Sequence, residues 1–306
     1  GQKILTVLFP KNINIVDSQV SIKLDCSEVL LPVSYCYEET NTSFATLPLF
    51  KRAIYQESVY PKKKLKELSC PVIAFHSYKG GVGRTLSLIA FAQAWTNIQK
   101  DPQHNKLLII DADLEAPGLT VIQGNTNEPS FSYLDLLTFI QDEDCADKVI
   151  SIAEGLMRDM TLTIETKQQR VEHFFLPTYR YKEQTFDLYA SPQTIATSRN
   201  KEYVLAEIFS ELASRLGATA VLIDLRAGVS EYSAPLLLDP RVKKYCVTST
   251  SLQSVNGTKD ILEFISKGMD IRDDTLLPTV FLSMIPELLP ASEKNQIEER
   301  LRGCFN

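Results

Sequence analysis

The chain has 306 residues, 44% of them hydrophobic, and a formal net charge of −6. That is enough apolar material for one large core or two smaller ones, and the acidic balance gives no whole-molecule case for a nucleic-acid-binding protein. Six cysteines without a Cys-x-x-Cys pair or zinc-like spacing, and no run approaching ~18 apolar residues, argue against a disulfide framework and a membrane span and suit a cytoplasmic protein.

Residues 1–70 have a texture of their own. Short β-favouring runs (Ile4–Phe9, Val20–Leu24 and Val29–Val33) alternate with polar breaks such as Glu38–Ser43, which predicts a small β-rich accessory segment. The basic run Lys62–Lys66 reads as a solvated linker or helix face.

From Pro71 onward, through residues 71–306, strand and helix patterns alternate. The expected fold is α/β: a doubly wound, mostly parallel sheet between two helix layers. Predicted buried strands are Val72–His76, Lys106–Asp111, Thr185–Tyr189, Ala220–Asp224, Tyr245–Ser249 and Thr279–Met284. Predicted helices are Leu86–Ile98, Glu202–Leu216 before Gly217, Val255–Lys267 before Gly268, and the charged Ser292–Arg302. Residues 131–175 read as a helical insertion around Tyr133–Ile140 and Lys148–Met160. Lys243 and Lys244, ahead of the fifth strand, read as solvated. A domain of this kind often continues with another strand and helix, so the chain is expected to be part of a longer one.

The chemistry concentrates at Tyr78-Lys-Gly-Gly-Val-Gly-Arg-Thr85, a glycine-rich turn between the first buried strand and its helix. Main-chain N–H groups of Gly80, Gly81, Val82, Gly83, Arg84 and Thr85 can cradle phosphates at the positive end of the helix dipole. Two acidic strand ends accompany it: Asp111-Ala-Asp113, followed by Leu114–Leu119, and Asp224, followed by Leu225-Arg-Ala-Gly228. In an open α/β sheet these loops converge at the carboxyl ends of the strands. Thr85, Asp111 and Asp224 are candidate ligands or water-holders for Mg²⁺, a hard cation that prefers oxygen. Asp111 or Asp113 could orient an attacking water. Against this stands the plain reading that Asp111 and Asp224 merely end strands and cap turns.

Lys79-Gly-Gly-Val-Gly-Arg-Thr85 resembles the deviant Walker A loop of the ParA/MinD group of P-loop ATPases, whose form is K-G-G-x-G-K-[ST]. Asp111-x-Asp113 and Asp224-x-x-x-Gly228 are similar to that family's two switch positions. The resemblance implies ATP and Mg²⁺ as cofactors and a nucleotide-dependent homodimer that controls a protein partner. It also implies catalytic roles for Lys79, as a cation reaching the other subunit's nucleotide, and for Asp113, as the residue orienting water.

Two departures qualify the resemblance. Arg84 stands where the family has lysine, and a forked guanidinium is not equivalent to an ammonium at a tight phosphate site. Arg84 could do the same work, bind nucleotide while slowing hydrolysis, or mark a degenerate site. The K-G-G-V-G-R form also resembles a variant subgroup found in larger multidomain bacterial proteins. Near the end of the last strand, where the family often reads adenine with asparagine, this chain has Ser283. The enzyme reading is therefore a Mg²⁺-dependent ATPase switch, and the alternative is an impaired nucleotide-binding interaction module. DNA partitioning is disfavoured by the acidic balance, and a membrane role by the lack of an amphipathic basic helix. Among single residues, His76 and Trp95 read as structural, His104 and His173 lack partners at metal spacing, and Arg226 is as suited to a salt bridge as to a phosphate.

Overall fold

Strands buried on both faces organise the larger part of the molecule, as the near-continuous apolar runs demand. The computed structural model describes residues 13–16, 19–23, 30–33, 65–99, 101, 104–123, 128–142, 145–187, 190, 203–228, 230, 232–266 and 277–303. The chain divides into two units, residues 1–45 and 46–306. In the first, β1 (Ile13–Val16), β2 (Gln19–Lys23) and β3 (Leu30–Val33) pair antiparallel in that order. Pro32 sits in β3, an edge strand, where the missing N–H does least harm. The β2 and β3 strands fall on two of the β-favouring runs. The third run, Ile4–Phe9, and all but two residues of the basic run Lys62–Lys66 lie outside the described residues.

The second unit holds β4 (Val72–His76), β5 (Leu107–Ala112), β6 (Thr161–Glu165), β7 (Arg170–Leu176), β8 (Ala220–Leu225), β9 (Lys243–Ser249) and β10 (Thr279–Ser283). They form one seven-stranded sheet in the order β10-β9-β4-β8-β5-β7-β6. All neighbours are parallel except the edge pair β6–β7. The helices are α1 (Arg84–Ile98), α2 (Gly118–Gln123), α3 (Tyr133–Asp142), α4 (Ala146–Met157), α5 (Gln184–Asp187), α6 (Val204–Leu216), α7 (Ala234–Leu238), α8 (Leu252–Ser266) and α9 (Ala291–Arg302).

Side-chain alternation splits the core into layers. Val72, Ala74, Leu108, Ile110, Val221 and Ile223 face the side covered by α3, α4, α6 and α7. Ile73, Phe75, Leu107, Ile109 and Leu222 face the other side, against Leu88 and Ala92 of α1 and Leu119 of α2. A third cluster joins Cys246 of β9 to Val255 and Leu262 of α8 and Leu301 of α9. Trp95 packs at the margin of the second layer and donates its indole N–H to the carbonyl of Asn105 at 3.1 Å.

Three sequence expectations are corrected. Residues 184–187 form the short helix α5, not a strand, and residues 188–189 lie outside the described set. The insertion at 131–175 is not all helical: α4 stops at Met157 and the antiparallel β6–β7 pair follows. Lys244 is not solvated but fully buried, its ammonium donating to the carbonyls of Asp239 (2.8 Å) and Val242 (2.7 Å). Burial lowers its pKa to about 8, with Asp239 pulling the other way.

Candidate nucleotide site

The strands β4, β8 and β5 are adjacent and parallel, so the loops that follow them open at one end of the sheet. This arrangement brings Tyr78–Thr85, Asp111–Leu119 and Asp224–Gly228 together. Gly81 and Gly83 adopt positive φ angles of 73° and 85°, a region costly for residues bearing a Cβ. Gly83 is the N-cap of α1, and its carbonyl accepts from the backbone N–H of Ser87 at 2.9 Å. No acidic residue of α1 itself lies in its first turn, so the positive end of a 15-residue helix faces the loop without a carboxylate of its own. Lys79 is exposed and makes no ion pair with any described residue.

The charged residues form a tight cluster at the foot of this loop. Arg84 is 7% exposed, and its guanidinium donates to both Asp224 Oδ1 and Asp113 Oδ2, the latter at 2.9 Å. Thr85 donates its hydroxyl to the other Asp224 oxygen at 2.6 Å. Asp113 Oδ1 accepts from the backbone N–H groups of Glu115 (3.3 Å) and Ala116 (3.1 Å). Burial opposes the charge of Arg84, but Asp224 and Asp113 together outweigh it and hold its pKa above the ordinary value. Burial pushes Asp224 upward, while Arg84 and Thr85 pull it back toward the ionised form.

Asp111 behaves differently from the other two carboxylates. It lies level with Asp224 on the neighbouring strand, fully buried. Its Oδ2 accepts from the N–H (2.8 Å) and hydroxyl (2.9 Å) of Thr120, and its Oδ1 from the N–H of Asp113 (3.3 Å). Burial, reinforced by the charge on Asp224, raises its pKa to about 6 against the pull of Thr120. Its carboxylate fastens α2 to the end of β5. Thr120 is a site-building residue that sequence reasoning missed, because nothing in its local pattern marks it.

Several neutral contacts fix the loop. The Ser283 hydroxyl lies within hydrogen-bonding reach of the Val82 carbonyl and, at 3.1 Å, the Thr248 carbonyl, so it braces the loop from β10. Gly118 presses on Thr85: a Cβ there would lie 3.1 Å from the threonine Oγ1 and Cγ2. Gly228 donates its N–H to the Ser77 carbonyl at 2.8 Å, pinning the second acidic loop to the start of the first. Arg226 pairs with Glu115 at 2.5 Å, which settles its role as a salt bridge between the two acidic loops. His76 is 1% exposed, and neither of its ring nitrogens has a hydrogen-bonding partner of normal geometry among the described residues. His173 is structural, with its Nδ1 accepting from the Leu107 N–H at 3.1 Å and its Nε2 2.9 Å from Thr96 Oγ1. His104 pairs with Asp101 at the surface, at 2.7 Å.

Chemically, the Thr85 hydroxyl and the Asp224 carboxylate are hard oxygen donors side by side, a donor set that suits Mg²⁺. The same carboxylate carries the Arg84 guanidinium.

Comparison with protein families finds no match, and a search of curated proteins finds no relative. Among solved structures, a ParA family ATPase from Chlorobium tepidum is similar over 76% of this chain and 81% of its own, at 16% identity and a TM-score of 0.51. Apo McdA of Cyanothece (16% identity, 77% and 81% coverage, TM-score 0.48) and MinD in the Aquifex aeolicus MinC:MinD complex (16%, 76% and 78%, 0.42) also match. The larger unit of this chain has the α/β P-loop fold of the ParA/MinD-type ATPases.

Proposed function

We propose that the chain is an ATP-binding switch of the ParA/MinD type, a Mg²⁺-dependent and slow ATPase whose subunits pair on ATP to control a protein partner. The observation that carries this reading is the loop itself: two left-handed glycines at the N-terminus of α1, with Thr85 and Asp224 hydrogen-bonded at its foot. The N–H groups of Gly80–Thr85 hold the phosphates, and Thr85 and Asp224 hold the metal, directly or through water. Mg²⁺, when bound, supplies positive charge against the phosphate oxygens. Asp113 orients the attacking water, and the exposed Lys79 is free to reach a second subunit's nucleotide. Residues 1–70 are an accessory segment to this machinery.

One observation favours a second reading, an interaction module that binds nucleotide with little or no turnover. Arg84 is committed to Asp113 and Asp224, which leaves neither its guanidinium for phosphate nor Asp113 for water without rearrangement. Turnover and light scattering with Mg·ATP separate the two. The switch reading expects slow phosphate release and ATP-dependent dimer mass, with Lys79→Ala losing at least tenfold in rate. Saturable ATP binding without turnover, with Arg84→Lys gaining it, would favour the module.

A further inference from the structure

Asp113 and Asp224 have no carboxylate oxygen without a donor. Asp224 accepts from Arg84 on one oxygen and from Thr85 on the other. Asp113 accepts from Arg84 on one and from two backbone N–H groups on the other. A guanidinium keeps its charge throughout the physiological range, and its planar fork spans two carboxylates where an ammonium meets one. With Arg84 only 7% exposed, water has little access to take over either partner's role. Withdrawing it leaves buried charges unpaired unless another cation reaches the aspartates and another anion reaches the arginine.

We propose that Arg84 is a built-in counter-cation that competes with a divalent cation for Asp113 and Asp224, so that the cation binds only together with a polyphosphate that draws the guanidinium away. This rests on the nucleotide reading above and adds a mode of regulation to it. Cation and polyphosphate binding are coupled because each satisfies one half of the ion pair. The loop N–H groups of residues 80–85 lie at the backbone from which Arg84 itself projects, so a polyphosphate seated there is the nearest available anion. Asp113 opens the loop after β5 and Asp224 is the penultimate residue of β8, and the Arg226–Glu115 pair ties the loops that follow these strands a second time. The exchange at Arg84 therefore releases both acidic side chains in one event, leaving the Arg226–Glu115 pair as the ion pair between the two loops among the described residues.

The test is Mn²⁺ binding by electron paramagnetic resonance, with and without a non-hydrolysable ATP analogue, on the whole chain. In the absence of analogue, wild type should bind Mn²⁺ at least tenfold more weakly than Arg84→Lys, which meets one carboxylate, and Arg84→Gln, which carries no charge. Adding Asp224→Asn to either variant should abolish the gain, and the analogue should restore Mn²⁺ affinity to wild type. Arg84→Lys keeps a cation in the cluster and so serves if Arg84→Gln does not fold. Equal Mn²⁺ affinity in wild type and a folded Arg84 variant overturns the competition, even if the analogue binds saturably. Tighter Mn²⁺ binding in the variants with no analogue binding to wild type under any condition would instead sink the nucleotide reading and keep the competition.

Discussion

At the scale of single residues, burial sets the chemistry before any ligand does. His76 is held neutral, its pKa lowered to about 3 first by burial and then by the charge of Arg84. His173 is lowered to about 4, again mainly by burial. Both are neutral in the folded chain over a range where they carry a proton unfolded. Folding stability is therefore lost as pH falls below the unfolded value near 6.5, by about 2 kcal/mol per histidine at pH 5. Asp111 acts in the opposite sense: its raised pKa of about 6 returns roughly 2 kcal/mol between pH 6 and 4. Urea unfolding of His76→Leu should show a shallower acid loss than wild type and unchanged or higher stability at pH 7, because a buried imidazole without a hydrogen bond of normal geometry among the described residues is removed. An identical pH slope in the variant would contradict this assignment. That the glycine loop and the acidic residues near the strand ends come together was legible in the sequence, since both follow strands of one parallel sheet. Where their side chains turn was not. Arg84 had a phosphate and several carboxylates within plausible reach, and the choice of Asp113 with Asp224 depends on strand order. Ser283 was legible only as a departure from a base-reading asparagine and not as a brace, because Val82 is far away in the chain, and Thr120 carries no local signal of its hold on Asp111.

At the scale of elements, one glycine decides how the phosphate loop meets α8. The Tyr78 ring lies directly over Gly257: a Cβ there would sit 2.0 Å from a ring carbon. Alanine is ordinarily favoured over glycine inside a helix by about 1 kcal/mol. Here the collision outweighs that preference, because the ring atoms concerned are near its root and the loop backbone must move with them. Gly257→Ala should be destabilising and should weaken nucleotide binding, and Tyr78→Ser added to it should recover most of the stability in thermal unfolding. A stabilised single variant would contradict the contact. The long strands and helices were readable because their burial repeats over many residues. The β6–β7 pair was missed because a helical pattern ran straight into an alternating one at Thr161-Leu-Thr-Ile-Glu165. At Thr185–Tyr189 a short β-favouring run misled, since five residues are too few for periodicity to decide, and Phe186 there is exposed rather than core.

At the scale of the whole molecule, strand order is what turns three separate motifs into one site. The β4 strand lies between β9 and β8, with β5 next, so the loop after β4 meets acidic ends from β8 and β5 on one side and Ser283 of β10 from the other. Neither the order nor the brace from β10 follows from motif spacing, although the parallel fold class does. No helix among the described residues is long and apolar enough to cross a membrane. The central claim is that this loop holds a nucleotide, and equilibrium calorimetry of Mg·ATP binding tests it most directly. Wild type should show one saturable site per chain, lost in Gly83→Val, where φ +85° leaves no room for a branched side chain without strain. No binding heat in wild type, or equal binding by a folded Gly83→Val, would contradict it.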